Sequence, residues 1–373
     1  MKRTNYLLKT LNICHIITTS ELGGAQLSTY RIVKELAKQP DLELFLIYGT
    51  KGPLCQEFQS LDKATVIRLK SLKRTFNPLH DFIALIKLIS IIKQKKIQII
   101  HTHSSKASFI GRIAGIFTRI KVIHTYHGFG HDFFLSKYLR LIYILIEKII
   151  NSFSHKLIFV CQKNLTKALN LKLASKNKSI VIPDTLCLTQ LQSMKHNLES
   201  SHYTVGSVLS FKEQKQPFQL LKLIKMLNTE FKHIHFILIG EGPMLKAVKL
   251  RAKECNITNI TFTGAQKDIV KYYQQLHLFI QTSRYEGFSM AQIEALYLNI
   301  PIVVTDQGGI SEIVKNGKQG FIYNTNDLEI AFKYCKIILN KNFKYQPLNK
   351  SIFDIWNTQA ILDQHIYLYK SLE

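Results

Sequence analysis

Short unbroken apolar runs alternate with longer stretches whose apolar residues recur every three or four positions, and the alternation continues along nearly the whole chain. The runs read as strands buried on both faces, and the periodic stretches as helices that cover them. In the first half the strands are LNICHIITT, LELFLIYG, IQIIHTH, KVIHTY, LIFVCQ and SIVIP. Between them lie a helix from about Gln26, the helix PLHDFIALIKLISIIKQKK, a helix over Ala107–Phe117 and an apolar, basic helix at 134–150. Small residues at helical spacing in Ala107–Phe117 predict close packing on a sheet. The pattern restarts with TVGSVLSF and runs through FQLLKLIKML, IHFILI, ITFTG, LFIQTS and PIVVT to helices from about Leu328 and over 351–371. Such alternation builds a parallel sheet with helices on its faces, and its restart predicts an α/β chain of two Rossmann-like domains facing across a cleft. The expected domains are 1–185 and 186–350, with the polar stretch 186–203 as linker, followed by a C-terminal helical segment at 351–373.

The densest chemistry lies in residues 282–323, TSRYEGFSMAQIEALYLNIPIVVTDQGGISEIVKNGKQGFIY. Glu286 and Glu294 stand eight positions apart, with Gly287, Phe288 and a helix start between them. Ser289 and Gln292 read as a capping box, which makes Met290 to about Leu298 helical. Pro301 ends that helix, and Asp306–Gly309 is expected to turn into a second short one. Two helix N-termini would then attract an anion, with carboxylates placed for hydroxyls: the requirements of a diphosphate flanked by sugars. Earlier in the chain, Gly23 and Gly24 join a strand to a helix and let the backbone approach a bound group. Gly240 and Gly242 allow a turn after IHFILI, but GEGP lacks the G-x-G-x-x-G fingerprint of a nicotinamide site.

EGFSMAQIEAL, PIVVTDQGG, SEIV and NGKQGFIY, in that order, resemble the family 4 retaining glycosyltransferases of the GT-B fold, and the resemblance covers His15 to about Leu372. HTHSSKA followed by HGF is similar to bacterial members that build surface polysaccharides or lipid-linked oligosaccharides. The resemblance implies transfer of a sugar from a nucleotide-diphosphate donor, a UDP-sugar, with retention and with neither a metal nor a cofactor. It implies that the last helix crosses back to the first domain. Glu286 is expected to contact the donor sugar from the face opposite attack, His127 to hydrogen-bond that sugar, and Glu294 to hold the ribose hydroxyls. Lys215 matches the family's diphosphate-binding lysine, whereas Ser210 stands where the family has an arginine; Lys212 is a spare cation. The loop around Gln266 would hold the base, Gly287, Phe288, Ser289, Gly240 and Gly242 complete the donor-binding set, and Gly23 and Gly24 face donor phosphate and acceptor. Same-face attack, with the leaving phosphate oxygen as base, removes the need for a protein general base.

Charge adds a partner. Residues 1–185 hold 29 Lys/Arg against 10 Asp/Glu, and residues 186–373 hold 21 against 15, so the excess of a chain of net charge +25 sits in the first half. An anionic partner follows, either nucleic acid or an acidic membrane surface. A basic nucleic-acid binder would need an aromatic-studded groove or a known module, and neither is visible. The membrane reading places the protein on the cytoplasmic, inner face of the cell membrane, as no run is long enough to span it. The helix at 134–150 reads as core for most of its apolar residues, with the alternative that it lies on lipid with Lys137, Arg140 and Lys148 at the head groups. The first twenty residues read as a tail leading into a strand rather than a signal peptide.

Six scattered cysteines suit a reducing compartment. His101 and His103 are read as pointing to opposite faces of their strand, against a joint metal site, and His127 as either a sugar ligand or a satisfied core histidine. A nucleotide-sugar epimerase of the same fold is the other enzymatic reading. The sequence leaves the oligomeric state, the sugar and the linkage open.

Overall fold

The computed structural model describes residues 10–133, 136–186, 191 and 203–373. The expected N-terminal tail (1–9) and nearly all of the expected linker (187–190 and 192–202) lie outside them. In the first part of the chain come β1 (Leu11–Thr19), α1 (Gly24–Leu36), β2 (Leu42–Thr50), α2 (Cys55–Gln59), β3 (Ala64–Arg68), α3 (Pro78–Gln94), β4 (Ile99–Thr102) and α4 (Ser105–Thr118). These are followed by β5 (Lys121–Tyr126), α5 (Lys137–Ser152), β6 (Lys156–Phe159), α6 (Gln162–Asn170) and β7 (Ser179–Val181). Next are β8 (Tyr203–Val208), α7 (Pro217–Glu230), β9 (Ile234–Ile239), α8 (Leu245–Glu254), β10 (Ile260–Gly264), α9 (Val270–Tyr273) and β11 (Leu278–Gln281). The chain closes with α10 (Met290–Tyr297), β12 (Ile302–Thr305), β13 (Gly320–Tyr323), α11 (Leu328–Leu339) and α12 (Thr358–Lys370).

Two compact units result: one takes the chain to Val160, Asn164–Thr185 and Thr358–Glu373, the other Cys161–Lys163 and Leu186–Asn357. The first unit holds a parallel sheet in the order β3-β2-β1-β4-β5-β6-β7. Alternate residues of β1 serve opposite faces, as a period of two requires. Ile13 and Ile17 pack with Val33 and Leu36 of α1 and Ile361 of α12, whereas Cys14 and Ile16 pack with Leu88 of α3 and Ile110 of α4. Asn77 caps α3 by accepting from the His80 N–H at 3.1 Å, with Pro78 at the first helical position. The small residues of α4 do what their spacing predicts: a Cβ on Gly111 would stand 2.6 Å from Thr102 Cγ2, and one on Gly115 2.2 Å from Val122 Cγ2.

Two helical expectations are corrected in detail. The segment 351–371 is not one helix; a 3₁₀ stretch, Lys350–Trp356, is followed by Asn357 in extended conformation and only then by α12. The helix at 134–150 is present as α5, but Asn151 is its one buried residue, and Leu141, Ile142, Leu145 and Ile149 are more than half exposed. Its apolar face therefore points away from the core, and the reading of that face as core is wrong. Tyr143 and Glu147, half-buried beside Arg112 and Tyr126, supply the inward side.

The second unit holds a parallel sheet in the order β10-β9-β8-β11-β12-β13. Its core gathers Leu220, Ile224 and Leu227 of α7, Phe236 and Leu238 of β9, and Ala331, Cys335 and Leu339 of α11. In each sheet the strand order reverses once, between β1 and β4 and between β8 and β11. Loops leaving the carboxyl ends of the two strands part there, and ligands of open α/β sheets bind in the resulting crevice.

Candidate active site

In the second unit the loops after β8 and β11 are stitched together at the reversal. Thr282 Oγ1 donates to the carbonyls of Lys215 and Gln216, the Arg284 N–H donates to the Gln214 carbonyl, and Gln214 Nε2 donates to the Tyr285 carbonyl at 3.0 Å. Gln216 takes a left-handed conformation (φ 45°) immediately before Pro217 opens α7. The stitching brings Lys215 Nζ within 2.5 Å of Glu286 Oε1, with the two side chains 15% and 6% exposed. Gln281 Nε2, at the end of β11, also reaches Glu286 Oε1, at 3.4 Å.

The capping box at α10 is not formed. Ser289 occupies the N-cap position, but its Oγ and Gln292 Nε2 both donate to Gln281 Oε1, at 3.1 and 2.8 Å. A buried amide oxygen has no water to turn to and takes both donors. The N–H groups at the start of α10 are thereby left without a side-chain cap. The second expected helix is a five-residue 3₁₀ turn, Gly308–Glu312, too short to add a helix terminus to the site. Glu294, one turn into α10, accepts from the Tyr273 hydroxyl at 2.9 Å. Burial, then the neighbouring Glu294 charge, hold that phenol well above its ordinary pKa, so it stays a donor.

The remaining residues of the expected donor set divide. Ser210 and Lys212 lie half-buried on the loop after β8, and Gln266, just past β10, donates to the Thr263 carbonyl at 2.8 Å. Gly240 and Gly242 serve the backbone: a Cβ on the first would stand 1.9 Å from the Leu209 carbonyl oxygen, and one on the second 2.6 Å from that of Phe211. Gly287 accepts through its carbonyl from the Gly309 N–H at 3.1 Å. Phe288 packs edge-on against Trp356 with ring centroids 5.2 Å apart, so its ring belongs to the core of this unit.

In the first unit Gly23 precedes α1 in extended conformation and Gly24 is its first residue. Across the strand reversal, Thr18 and Ser104 hydroxyls meet at 2.6 Å. Around this edge lies a cluster of histidines. The reading that His101 and His103 diverge is wrong, because residues two apart share a face; their rings lie 4.2 Å apart. His15, paired with His101 in the strand register, joins them, and nitrogens of the three lie within 4.8 Å of one another. His103 Nδ1 lies 3.2 Å from His127 Nε2, and His127 Nδ1 lies 2.9 Å from Asp184 Oδ1, off the line of a straight hydrogen bond. Nε2 of His127 is thus within hydrogen-bond distance of a partner, whereas Nδ1 faces the Asp184 carboxylate without a hydrogen bond. Burial, then neighbouring histidine charge, push His15 down to about 3 and His101 and His103 well below the ordinary value.

Two family models divide the chain between them. Residues 22–184 match Glycosyltransferase Family 4, and residues 189–351 match Glycosyl transferases group 1. The chain belongs to the group 1 glycosyltransferases. This glycosyltransferase is 26% identical over 345 residues to the UDP-Gal:alpha-D-GlcNAc-diphosphoundecaprenol alpha-1,3-galactosyltransferase of Escherichia coli, covering 88% of this chain and 87% of that one. It is 26% identical to the O-antigen biosynthesis glycosyltransferase WbnH of Escherichia coli, over 97% of this chain and 98% of the other. Anabaena Alr3699/HepE, solved with UDP and glucose, superposes with a TM-score of 0.78 at 16% identity, over 97% of this chain and all (100%) of that one. A glycosyltransferase from Rickettsia africae gives 0.75 at 17% identity over 97% of this chain and 98% of its own. These likenesses are to GT-B structures, and the two-sheet, two-unit architecture of this glycosyltransferase is of that fold.

Several residues of the glycosyltransferase's candidate site carried no signal in the sequence. Gln281 and Tyr273 sit in an apolar strand and a short helix, and nothing in their spacing marks them as partners of Glu286 and Glu294. His15 stood in full view inside an apolar strand, but only the strand register places it beside His101.

Proposed function

We propose that this glycosyltransferase moves a sugar from a UDP-sugar to a lipid-linked acceptor in cell-surface glycan synthesis, with retention and without a metal. The observation that carries the reading is the meeting of Lys215 and Glu286 at the strand reversal of the second unit, with Glu294 one turn into α10. Lys215 and Lys212 supply positive charge for a leaving diphosphate, which is electrostatic stabilisation in a site set before the reaction. A lysine neutralises phosphate as a point charge, so the site works with Ser210 where relatives of the family carry an arginine. Glu286 contacts the donor sugar, Glu294 the ribose hydroxyls, and the loop of Gln266 the base. In the first unit His127 takes a sugar hydroxyl at Nε2, where His103 is its present partner. The UDP-Gal donor and diphosphoundecaprenol acceptor in the name of the galactosyltransferase relative support this choice of substrates.

The acceptor's nature agrees with the surface of the first unit. Sixteen of the twenty exposed large apolar side chains among the described residues fall between Phe76 and Phe153, on or beside α3, α4 and α5, which cover one face of the sheet. Their acidic neighbours are tied internally: Asp81 pairs with Lys106 and Glu147 with Arg112, while Lys137, Arg140 and Lys148 of α5 are exposed. An apolar face rimmed by cations suits an anionic bilayer surface. We assign the enzyme to the cytoplasmic face of the cell membrane as a peripheral protein.

The test is incubation of the purified protein with radiolabelled UDP-sugars, polyprenyl-diphosphate-linked acceptor and EDTA. Label in a lipid product with the donor's anomeric configuration supports the reading. A free epimeric sugar would support an epimerase instead, and absence of transfer with every donor would overturn the proposal.

A further inference from the structure

The buried histidines of the first unit form a hydrogen-bonded chain that runs from Thr125 to His127, and the Asp184 carboxylate facing His127 sets its direction. From Thr125 Oγ1 it passes to His101 Nε2 at 2.7 Å, and from His101 Nδ1 to the Tyr369 hydroxyl at 2.7 Å. It continues from Tyr369 to His15 Nε2 at 3.3 Å, from His15 Nδ1 to His103 Nε2 at 2.9 Å, and from His103 Nδ1 to His127 Nε2 at 3.2 Å. The hydrogen bonds stop at His127, whose Nδ1 lies 2.9 Å from Asp184 Oδ1 but off the line of a hydrogen bond. A carboxylate oxygen presents only lone pairs, which repel a lone pair on a ring nitrogen 2.9 Å away, and a neutral imidazole has one donor and one acceptor nitrogen. His127 must then carry its proton on Nδ1, which leaves Nε2 to accept from His103 Nδ1–H. The same step repeats at His103 and His15; Tyr369 donates to His15 and accepts from His101, and Thr125 donates to His101. Every hydrogen bond from Thr125 to His127 is made with all four rings neutral, and the proton held on Nδ1 beside Asp184 selects the Nδ1–H tautomer in each of them.

We propose that Asp184 is a positioning residue that sets this chain, holding His127 with a lone pair on Nε2 so that it receives a hydroxyl proton from the sugar. This rests on the assignment of His127 to the sugar made above. The link to be opened is the His103–His127 contact, the one that includes a partly exposed ring: the His127 side chain is 10% exposed, whereas His15, His101 and His103 are buried. A hydroxyl both donates and accepts. It can enter between His103 Nδ1–H and His127 Nε2 with no polar atom left unpaired, whereas a hydrogen or fluorine at the same place would strand the His103 N–H. His103 therefore becomes a specificity-determining residue for that hydroxyl. Tyr369 ties α12 into the same network.

Ring-nitrogen NMR on histidine-labelled full-length protein tests the chain without any substrate. The expected result is the Nδ1–H tautomer at His15, His101, His103 and His127. Asp184→Ala should leave His127 as a tautomer mixture and lower kcat about tenfold, with KM for the donor little changed. Asp184→Asn, which keeps an acceptor oxygen, should restore both. Nε2–H tautomers in the unmodified protein would overturn the proposal, as would an Asp184→Ala variant with unaltered His127 resonances and kcat. So would stoichiometric zinc uptake that moves the nitrogens of His15, His101 and His103 together, which would make the cluster a metal site. If no donor sugar is transferred at all, the proposed function fails while the tautomer readout still stands on its own.

Discussion

Lys215 Nζ and Glu286 Oε1 lie 2.5 Å apart, although 71 residues separate them along the chain. The pair is mostly buried, so each charge depends on the other for solvation it has lost to the protein. If Glu286 has the proposed role at the donor sugar, Glu286→Ala is expected to lower kcat by about 100-fold or more, since that contact would be made most strongly in the transition state. Lys215→Ala strands a buried carboxylate, for which the destabilisation should be about 3–5 kcal/mol. The double variant should recover part of that loss in a denaturant melt, and strict additivity of the two single changes would show that the pair is not coupled.

Glu294 accepts from the buried Tyr273 hydroxyl at 2.9 Å, and the Ala291 carbonyl lies 3.0 Å from the same hydroxyl. Glu294→Gln keeps the shape and should weaken donor binding while leaving the melting temperature nearly unchanged. Tyr273→Phe should act in the same direction by about 3- to 10-fold, less than the full worth of one hydrogen bond to a charged group because it acts on the donor only through Glu294. Calorimetric titration with UDP measures both, and unchanged affinity in Glu294→Gln would remove that carboxylate from the donor site.

Acid should unfold the first unit early. His15, His101, His103, His124 and His365 are all held below the ordinary histidine value, chiefly by burial, with His15 at about 3 and His365 at about 4. These rings are neutral when folded and take up protons when unfolded, so their contribution is whole above the unfolded value of 6.5 and is lost as pH falls toward 4 and 3. Each group costs up to about 1.4 kcal/mol per pH unit in that window, less where neighbouring rings share the proton. Melting temperature followed from pH 8 to pH 5 should fall steadily below about 6.5. A flat profile would mean that the rings accept protons without unfolding.

Binding to vesicles should depend on the outer face of α5 as well as on charge. Flotation with anionic lipid is expected to retain protein at high salt, because screening to a few ångströms removes the lysine contribution and leaves the apolar one. Ile146→Glu with Ile149→Glu should abolish the salt-resistant part while leaving the fold intact, both positions being exposed. Equal binding of this variant and the unmodified protein would exclude α5 as the contact.

Much of the architecture was legible because a parallel sheet writes a strong pattern: strands buried on both faces are unbroken apolar runs, and their helices are periodic. The β-strands of both sheets other than β3 and β13, the tight packing of α4 through Gly111 and Gly115, and the start of α10 at Met290 all follow from local sequence. Local rules failed where a buried polar atom offered a better partner than the backbone. Ser289 and Gln292 have the spacing of a capping box, yet both turn to Gln281, whose position at the end of β11 no local pattern reveals.

The sequence by itself determined which residues share a strand or a helix face, and its motifs named Glu286, Glu294 and Lys215 one by one. Only the tertiary structure decided that Lys215 and Glu286 touch, that His15 stands between Tyr369 and His103, and that the apolar face of α5 has nothing of its own unit to cover it. The reason is physical: periodicity records the direction a side chain takes from its own backbone. What that side chain meets there is set by strand order and register, which join residues far apart in the chain.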